Sequence, residues 1–112
     1  MLDLEPPYYA VIINTVYSAD QEGYFEMAVR MATLGQSQPG YLGRTSMSDE
    51  AGAELTVIYY RDEASIRAWK ADAEHLTAQR LGKERWYSSY DIQVARVERR
   101  YAFNAAGSHG DH

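Results

Sequence analysis

Apolar and polar residues follow one another along this chain with two different periods, and these periods predict its strands and helices. The first strand is expected over residues 8–17, YYAVIINTVY, where β-branched and aromatic side chains follow a Pro-Pro pair. Runs of the same kind, separated by polar or glycine-containing turns, recur three more times. They predict further strands over residues 41–47, 55–60 and 90–103.

Two segments have helical spacing instead. Apolar residues recur every three or four positions over residues 19–34, after a Ser-x-x-Gln capping box and before Gly35, which is expected to end the helix. Asp62 is expected to cap a second helix that runs toward residue 81. A further capping residue, Asp72, predicts that this helix restarts part-way along its length.

The predicted order, βαββαβ, is that of an α+β protein with a ferredoxin-like fold, in which a four-stranded antiparallel sheet carries both helices on one face. One domain is expected over residues 1–103, and the small, polar residues 104–112 are expected to form a disordered tail. In the last strand the alternation changes phase between Val94 and Val97, which predicts a β-bulge or a bend.

Both faces of the predicted sheet are apolar. On the first strand, Val11 and Ile13 lie on one face, and Ile12 and Val16 lie on the other. Two helices can cover only one face, so the second face is expected to pack against another sheet. We therefore predict a homodimer in which two sheets meet face to face as a dimeric α+β barrel.

Composition argues against several classes of partner. The chain has 112 residues, a formal net charge of -5 and scattered basic residues, which disfavours nucleic acid or an anionic membrane surface. It has no cysteine, so it can form neither a disulfide nor a thiolate site. Because the N-terminus lacks the features of a signal peptide and no apolar run is long enough to span a bilayer, a cytoplasmic location is expected.

Candidate chemistry concentrates on the second helix and the first strand. His75 is the best general base in the chain, although a lone helical histidine also suits a solvated or core position. Trp69 is either a core anchor or one wall of a pocket for an aromatic substrate, and Gln79 lies one helical turn after His75. Asn14 is expected to point into an apolar face, where its amide either serves the structure or donates to a ligand or dioxygen.

Sequence motifs for common cofactors are absent. There is no GxGxxG, P-loop, HExxH or GxSxG pattern, which disfavours dinucleotide binding, phosphoryl transfer and zinc or serine hydrolysis. Oxidation chemistry would therefore need no cofactor, or one without a linear motif, such as heme. Ten tyrosines suit half-wet pockets and interfaces. Tyr60 and Trp86 are candidate substrate contacts, and Trp86 alternatively packs a helix-to-strand connection and the dimer interface.

These residues, together with the βαββαβ order, resemble the antibiotic biosynthesis monooxygenase superfamily of dimeric α+β barrel proteins. The resemblance covers roughly residues 8–103, and it is carried by VIINTVY, QPGYLG, LTVIYYRDEASIRAWKADAEH and the strand start WYSSY. It implies two activities that can be compared with this chain residue by residue.

Heme-degrading members of the superfamily use an Asn on the first strand, a Trp on the second helix and, ten residues beyond it, a His that ligates heme iron. Asn14 and Trp69 match this pattern. The position ten residues after Trp69 is Gln79, which is a poor iron ligand, and His75 falls one helical turn too early. The resemblance therefore makes heme the alternative cofactor, and the first choice is none.

Other members oxidise aromatic polyketides without metal or flavin. By this resemblance His75 would be the base, Asn14 the donor to the oxygen species, and Trp69 with Tyr60 the pocket walls. The hypothesis gives catalytic roles to Asn14, Trp69 and His75 and substrate contacts to Tyr60, Gln79 and Trp86. The protein would be a cofactor-independent monooxygenase acting on an aromatic or quinol-like small molecule with dioxygen. The alternatives are a heme-binding or heme-degrading monooxygenase and a non-enzymatic dimer that binds a small molecule.

Overall fold

The computed structural model describes residues 4–17, 24–80, 87–103 and 105, with the backbone alone described for residues 24–28, 74–80 and 87–88. In this part of the chain, strands and helices follow the predicted order βαββαβ. The strands are β1 (Tyr8–Tyr17), β2 (Tyr41–Ser48), β3 (Ala53–Tyr60) and β4 (Tyr87–Val97). The helices are α1 (Tyr24–Gln36) and α2 (Glu63–Arg80). The ferredoxin-like α+β fold is confirmed.

The strands form an antiparallel sheet in the order β2-β3-β1-β4, so β1 is a central strand. Val11 of β1 lies directly opposite Ile58 of β3 and Val94 of β4, which puts these three side chains on one face of the sheet. This helix face packs on α2 and contains the core. The buried core residues are Val11, Ile58, Tyr60, Ile66, Trp69 and Ala73.

The opposite face, which we call the outer face, carries the alternate residues of each strand. Asn14 of β1 lies opposite Leu55 of β3 and Asp91 of β4, so these three belong to it. Val16 and Leu55 are each 41% exposed, and Met47 of β2 is 69% exposed. The outer face is therefore largely apolar, and both described helices pack against the other side of the sheet.

Local interactions explain the course of α2. The side chain of Asp62 accepts a hydrogen bond from the Ser65 backbone N–H at 2.8 Å, which is the predicted N-cap. The predicted restart at Asp72 is wrong, because α2 is continuous from Glu63 to Arg80. Trp69 and Ala73 on either side of Asp72 are both buried in the core, so packing against the sheet holds the helix together through this position.

The last strand differs from its predicted form. β4 ends at Val97 rather than at residue 103, and its register with β1 is regular from Val94, opposite Val11, to Val97, opposite Tyr8. The irregularity in this pairing instead lies between residues 16 and 17. Val94 belongs to the helix face and Val97 to the outer face, so two apolar faces produced the apparent change of phase. The predicted capping box of the first helix lies outside the described residues.

Gly40 allows a close approach between the start of β2 and α2. Its backbone N–H donates a hydrogen bond to the Ser65 hydroxyl at 2.9 Å. A Cβ atom at position 40 would lie 2.6 Å from the Ser65 Oγ and 3.2 Å from the Ser65 Cβ. A side chain there would force the Ser65 hydroxyl to rotate away from its hydrogen bond with Gly40, or α2 to shift.

We expect Gly40→Ala to lower the free energy of unfolding by about 1–3 kcal/mol, because the added methyl group overpacks this contact. Urea titration measures the loss. Gly35→Ala is the matched control, since a Cβ there would meet its nearest atom, the Tyr60 hydroxyl, at an ordinary 3.4 Å. Gly35 also lies in a helix, where alanine is favoured over glycine by about 0.5–1 kcal/mol. Equal losses in the two variants would contradict the steric explanation.

Candidate functional site

An open cavity of about 460 Å³ lies at one end of the sheet, where β1 and β2 end and β3 and β4 begin. Its described lining includes Val16, Met47 and Leu55, three apolar residues of the outer face. Asn14 and Asp91, on neighbouring strands, supply an amide and a carboxylate to the same lining. The cavity thus combines apolar side chains with polar and charged residues, which make up most of its described lining.

Asn14 and Asp91 face each other across the β1–β4 pairing. Their Cα atoms are direct partners in the antiparallel register, and both side chains are exposed on the outer face. Directly opposite residues in such a ladder have Cβ atoms about 4.5–5.5 Å apart. Asp91 also accepts a hydrogen bond from the Gln93 side-chain amide at 3.2 Å. The sheet therefore holds a hydrogen-bond donor and a potential proton acceptor side by side at the cavity.

Two more carboxylates line the cavity, and both have structural hydrogen bonds. Asp49 accepts from the backbone N–H groups of Ala51, at 2.9 Å, and Ala53, at 3.0 Å, which orders the turn between β2 and β3. Glu54 lies opposite Thr15 and so belongs to the helix face, where it accepts a hydrogen bond from the hydroxyl of Tyr17. Together with Asp91 they make three acidic residues in the described lining of the cavity.

Trp69 and Tyr60 lie on the other side of the sheet, in the core. They are 3% and 0% exposed, respectively, and the Tyr60 hydroxyl donates to the Gly35 carbonyl oxygen at 3.1 Å. The ring of Tyr41 meets that of Tyr60 edge to face at a centroid distance of 6.1 Å. The Trp69 indole also passes close to Gly35. In this arrangement both side chains anchor α1 and α2 to the sheet and present almost no surface to a ligand.

Burial, with a smaller contribution from the nearby Tyr41, raises the pKa of Tyr60 to about 12, and Arg44 partly opposes this rise. The hydroxyl therefore stays protonated near neutral pH, where it serves as the donor to Gly35.

The predicted site residues do not all come together. Asn14 is on the outer face, whereas Trp69 and Tyr60 are on the helix face, so the sheet separates them. Positions 75 and 79 lie on α2, but the side chains of His75 and Gln79 are outside the described part of the structure. Trp86 is outside the described residues altogether. The roles given to these three residues stay predictions.

Sequence reasoning missed Asp91 as a partner of Asn14. The sequence feature that could have identified Asp91 is that it is the single acidic residue in the otherwise uncharged start of β4, YSSYDIQV. Nothing in one sequence tells which residue of β4 lies opposite Asn14, because a register shift of one residue would turn Asp91 to the helix face.

Among the described residues, no group of three or more His, Asp or Glu side chains is arranged to hold a metal ion. The heme alternative depends on the side chain of His75, and it stays a prediction. The helices of the described part include none that is both long and apolar enough to cross a membrane.

Comparison with known proteins places the chain in a family. No family model matches the sequence. The uncharacterised protein YqjZ of Bacillus subtilis (strain 168) is 42% identical over 99 residues, which cover 88% of this chain and 87% of YqjZ. The chain belongs to the YqjZ family. Because YqjZ is uncharacterised, this match does not indicate a substrate.

Solved structures agree on the fold. SnoaB from Streptomyces nogalater, described as a cofactor-independent oxygenase, aligns with a TM-score of 0.68 at 10% identity over 85% of this chain and 97% of its own. Rv0793 from Mycobacterium tuberculosis gives 0.68 at 14% identity, over 85% and 99% of the two chains. A candidate antibiotic biosynthesis monooxygenase from Nitrosomonas europaea gives 0.66 at 14% identity, over 86% and 95%.

This protein of the YqjZ family therefore has the fold of the antibiotic biosynthesis monooxygenase superfamily, as the resemblance in its sequence implied. At these identities the likeness is one of fold, and an activity has to be argued from the site.

The raised pKa of Tyr60 predicts a specific loss of stability at high pH. Unfolded Tyr60 ionises near pH 10.0 and folded Tyr60 near 12, so the unfolded state releases a proton first as the pH rises. The free energy of unfolding should then fall between pH 10 and 12, by about 2–3 kcal/mol at most. Below pH 10 the contribution is constant.

Urea titrations of the wild type and Tyr60→Phe over this range measure the effect. The remaining tyrosines titrate in both proteins and cancel in the comparison. The wild type should lose stability more steeply than Tyr60→Phe, and parallel curves would show that Tyr60 is not the group responsible.

Proposed function

We propose that the protein is a cofactor-independent oxygenase of the antibiotic biosynthesis monooxygenase type, which oxidises an aromatic, quinol-like small molecule with dioxygen. The observation that carries this proposal is the pairing of Asn14 with Asp91 at the cavity. The fold shared with SnoaB, which is described as a cofactor-independent oxygenase, supports it. Such chemistry asks little of the protein beyond a base, a hydrogen-bond donor and a dry surface.

The proposed reaction converts an activated methylene group, as in an anthrone, and one molecule of dioxygen into a carbonyl group and one molecule of water. Asp91 takes a proton from the methylene carbon, and the resulting enolate passes its electrons to dioxygen, forming a C–O bond and, after protonation, a hydroperoxide. Loss of the second carbon-bound proton and cleavage of the O–O bond then leave the carbonyl and release water. One oxygen atom stays in the product and the other leaves in water.

Asn14 would act on the charge that develops during this reaction. Its amide N–H groups donate to the substrate oxygen that becomes negative in the enolate. Val16, Met47 and Leu55 would hold the flat rings and exclude water. In this proposal Asp91 takes the role that the sequence suggested for His75, because Asp91 faces Asn14 across the ladder and α2 packs on the other side of the sheet.

The proposal includes a homodimer in which two outer faces pack together. The outer face is apolar, with Val16, Leu55 and Met47 all exposed in the single chain, and neither described helix covers it. A second sheet would bury these side chains. It would also cover the outer-face residues of the cavity lining.

Oxygen consumption with an anthrone tests the assignment. Asn14→Ala and Asp91→Asn should each lower the rate by about tenfold or more, because they remove the donor and the base. Thr45→Ala is the matched control, since Thr45 is an exposed outer-face residue that does not belong to the described cavity lining. Its rate should equal that of the wild type.

Two results would contradict the proposal in different ways. If His75→Ala abolishes oxygen consumption while Asp91→Asn retains it, the base is His75 and the reaction occurs on the helix side. If the wild type binds anthrones or quinols but does not oxidise them faster than they oxidise spontaneously, the protein is a binding dimer without turnover.

A further inference from the structure

Asn14 and Asp91 lie side by side without bonding to each other. Their Cα atoms are direct partners in the β1–β4 ladder, and an amide and a carboxylate on such neighbouring positions are within reach of a hydrogen bond. Among the described residues, however, no hydrogen bond joins these two side chains. The pair is therefore held in an arrangement other than the one in which its two groups satisfy each other.

Gln93 gives Asp91 a different partner. It follows Asp91 by two residues on β4, so the two side chains are neighbours on the outer face of the sheet. The Gln93 Nε2 atom donates a hydrogen bond to Oδ2 of Asp91 at 3.2 Å. Within the described part of the chain, the other carboxylate oxygen, Oδ1, has no hydrogen-bond partner. The carboxylate is thus held at one oxygen and open at the other.

Gln93 itself stands outside the cavity. The described lining includes Asn14 and Asp91 but not Gln93. On β1, Gln93 lies opposite Ile12, two residues before Asn14 and farther from the cavity end of the sheet. Any effect of Gln93 on the cavity therefore passes through Asp91.

A direct bond between Asn14 and Asp91 would oppose the proposed chemistry. In that reaction the Asn14 amide donates to the substrate oxygen and the Asp91 carboxylate takes a proton. An amide that donates to a carboxylate makes a charge-assisted hydrogen bond, which is roughly twice as strong as a neutral one. Such a bond would have to break before the amide could donate to the enolate. Gln93 offers the carboxylate a bond of the same chemical kind on the side away from the cavity.

We propose that Gln93 is a positioning residue, which holds the Asp91 carboxylate away from Asn14 and so keeps the Asn14 amide free for the substrate oxygen. This inference rests on the proposed function. It deepens that function, because it explains how a donor and a base can be neighbours without cancelling each other. During the reaction Oδ2 stays with the Gln93 amide, and the proton from the substrate carbon goes to Oδ1.

NMR signals of the side-chain amides test the positioning without any turnover. In Gln93→Ala the carboxylate is released, so the Asn14 side-chain amide protons should shift as they bond to Asp91. The double variant Gln93→Ala/Asp91→Ala has no carboxylate to accept this bond, and its Asn14 signals should match those of Asp91→Ala alone. Thr45→Ala, on the outer face of β2 and outside the described lining, is the matched control and should leave the Asn14 signals unmoved.

Oxygen consumption with an anthrone tests the consequence for catalysis. Gln93→Ala should lower kcat by about threefold to tenfold, which is the usual effect of losing one hydrogen bond. KM should change less, because Gln93 does not touch the ligand. In an Asp91→Asn background the same substitution should have no further effect, since the base that Gln93 positions is already absent.

Three results would overturn the inference. Unmoved Asn14 signals in Gln93→Ala would show that Gln93 is not what separates the pair. Shifted signals with an unchanged kcat would show that the separation does not matter for turnover. An equal loss of kcat in the Asp91→Asn background would show that Gln93 does not act through Asp91.

Failure of the proposed function gives a different result. If the wild type consumes no oxygen with an anthrone, the proposed reaction is wrong, and the role of Gln93 in turnover is wrong with it. The NMR comparison still decides whether Gln93 keeps Asn14 and Asp91 apart, because it needs neither substrate nor dioxygen.

Discussion

β1 lies between β3 and β4, and its hydrogen-bonded register with both neighbours decides which side chains share a face. A slip of one residue would turn Val11, which is fully buried, toward the outer face, and would turn Asn14 into the core. Exposing Val11 would lose about 1.5–3 kcal/mol of hydrophobic stabilisation. Burying the Asn14 amide without a hydrogen-bond partner would cost about 1–3 kcal/mol. The core therefore selects one register. In that register Asn14 is beside Asp91 and away from Trp69.

The helix face is closed by a contact between three elements. Tyr60 at the end of β3 donates to Gly35 of α1, and Trp69 of α2 packs beside the same glycine. Because Tyr60 and Trp69 are buried in this contact, their aromatic rings are best explained by stability. The outer face has the reverse character: it is apolar, partly exposed and interrupted at one end by an amide and carboxylates. The proposed chemistry and the proposed contact between copies both use that face.

Local patterns in the sequence were enough to predict the order of elements. The β-branched run of β1, the Asp62 cap and the helical spacing of α2 all concern residues close together in the chain. The same patterns gave a wrong prediction where both faces of a strand are apolar. The spacing of Val94 and Val97 predicted a bulge, but their pairing with β1 is regular. The apolar second face predicted a further sheet packed on that side, and in the described part of the chain both helices lie on the other face.

The candidate site could be predicted only in part. Asn14 was identified because an amide on an apolar strand needs an explanation. Its separation from Trp69, and its position opposite Asp91, depend on pairing between segments far apart in the sequence, and no local pattern carries that information. Trp69 and Tyr60 illustrate the same limit, since an aromatic residue that fills a core and one that lines a pocket have the same sequence spacing.

If ligands bind at the outer face, beside Asn14, an NMR titration of 15N-labelled protein with an anthrone under anaerobic conditions detects it directly. We predict that the Asn14 side-chain amide and the backbone amides of Leu55 and Asp91 shift with saturation, while the indole N–H of Trp69 does not move. A shift of the Trp69 indole together with unmoved Asn14 signals would place the ligand on the helix side and contradict the account.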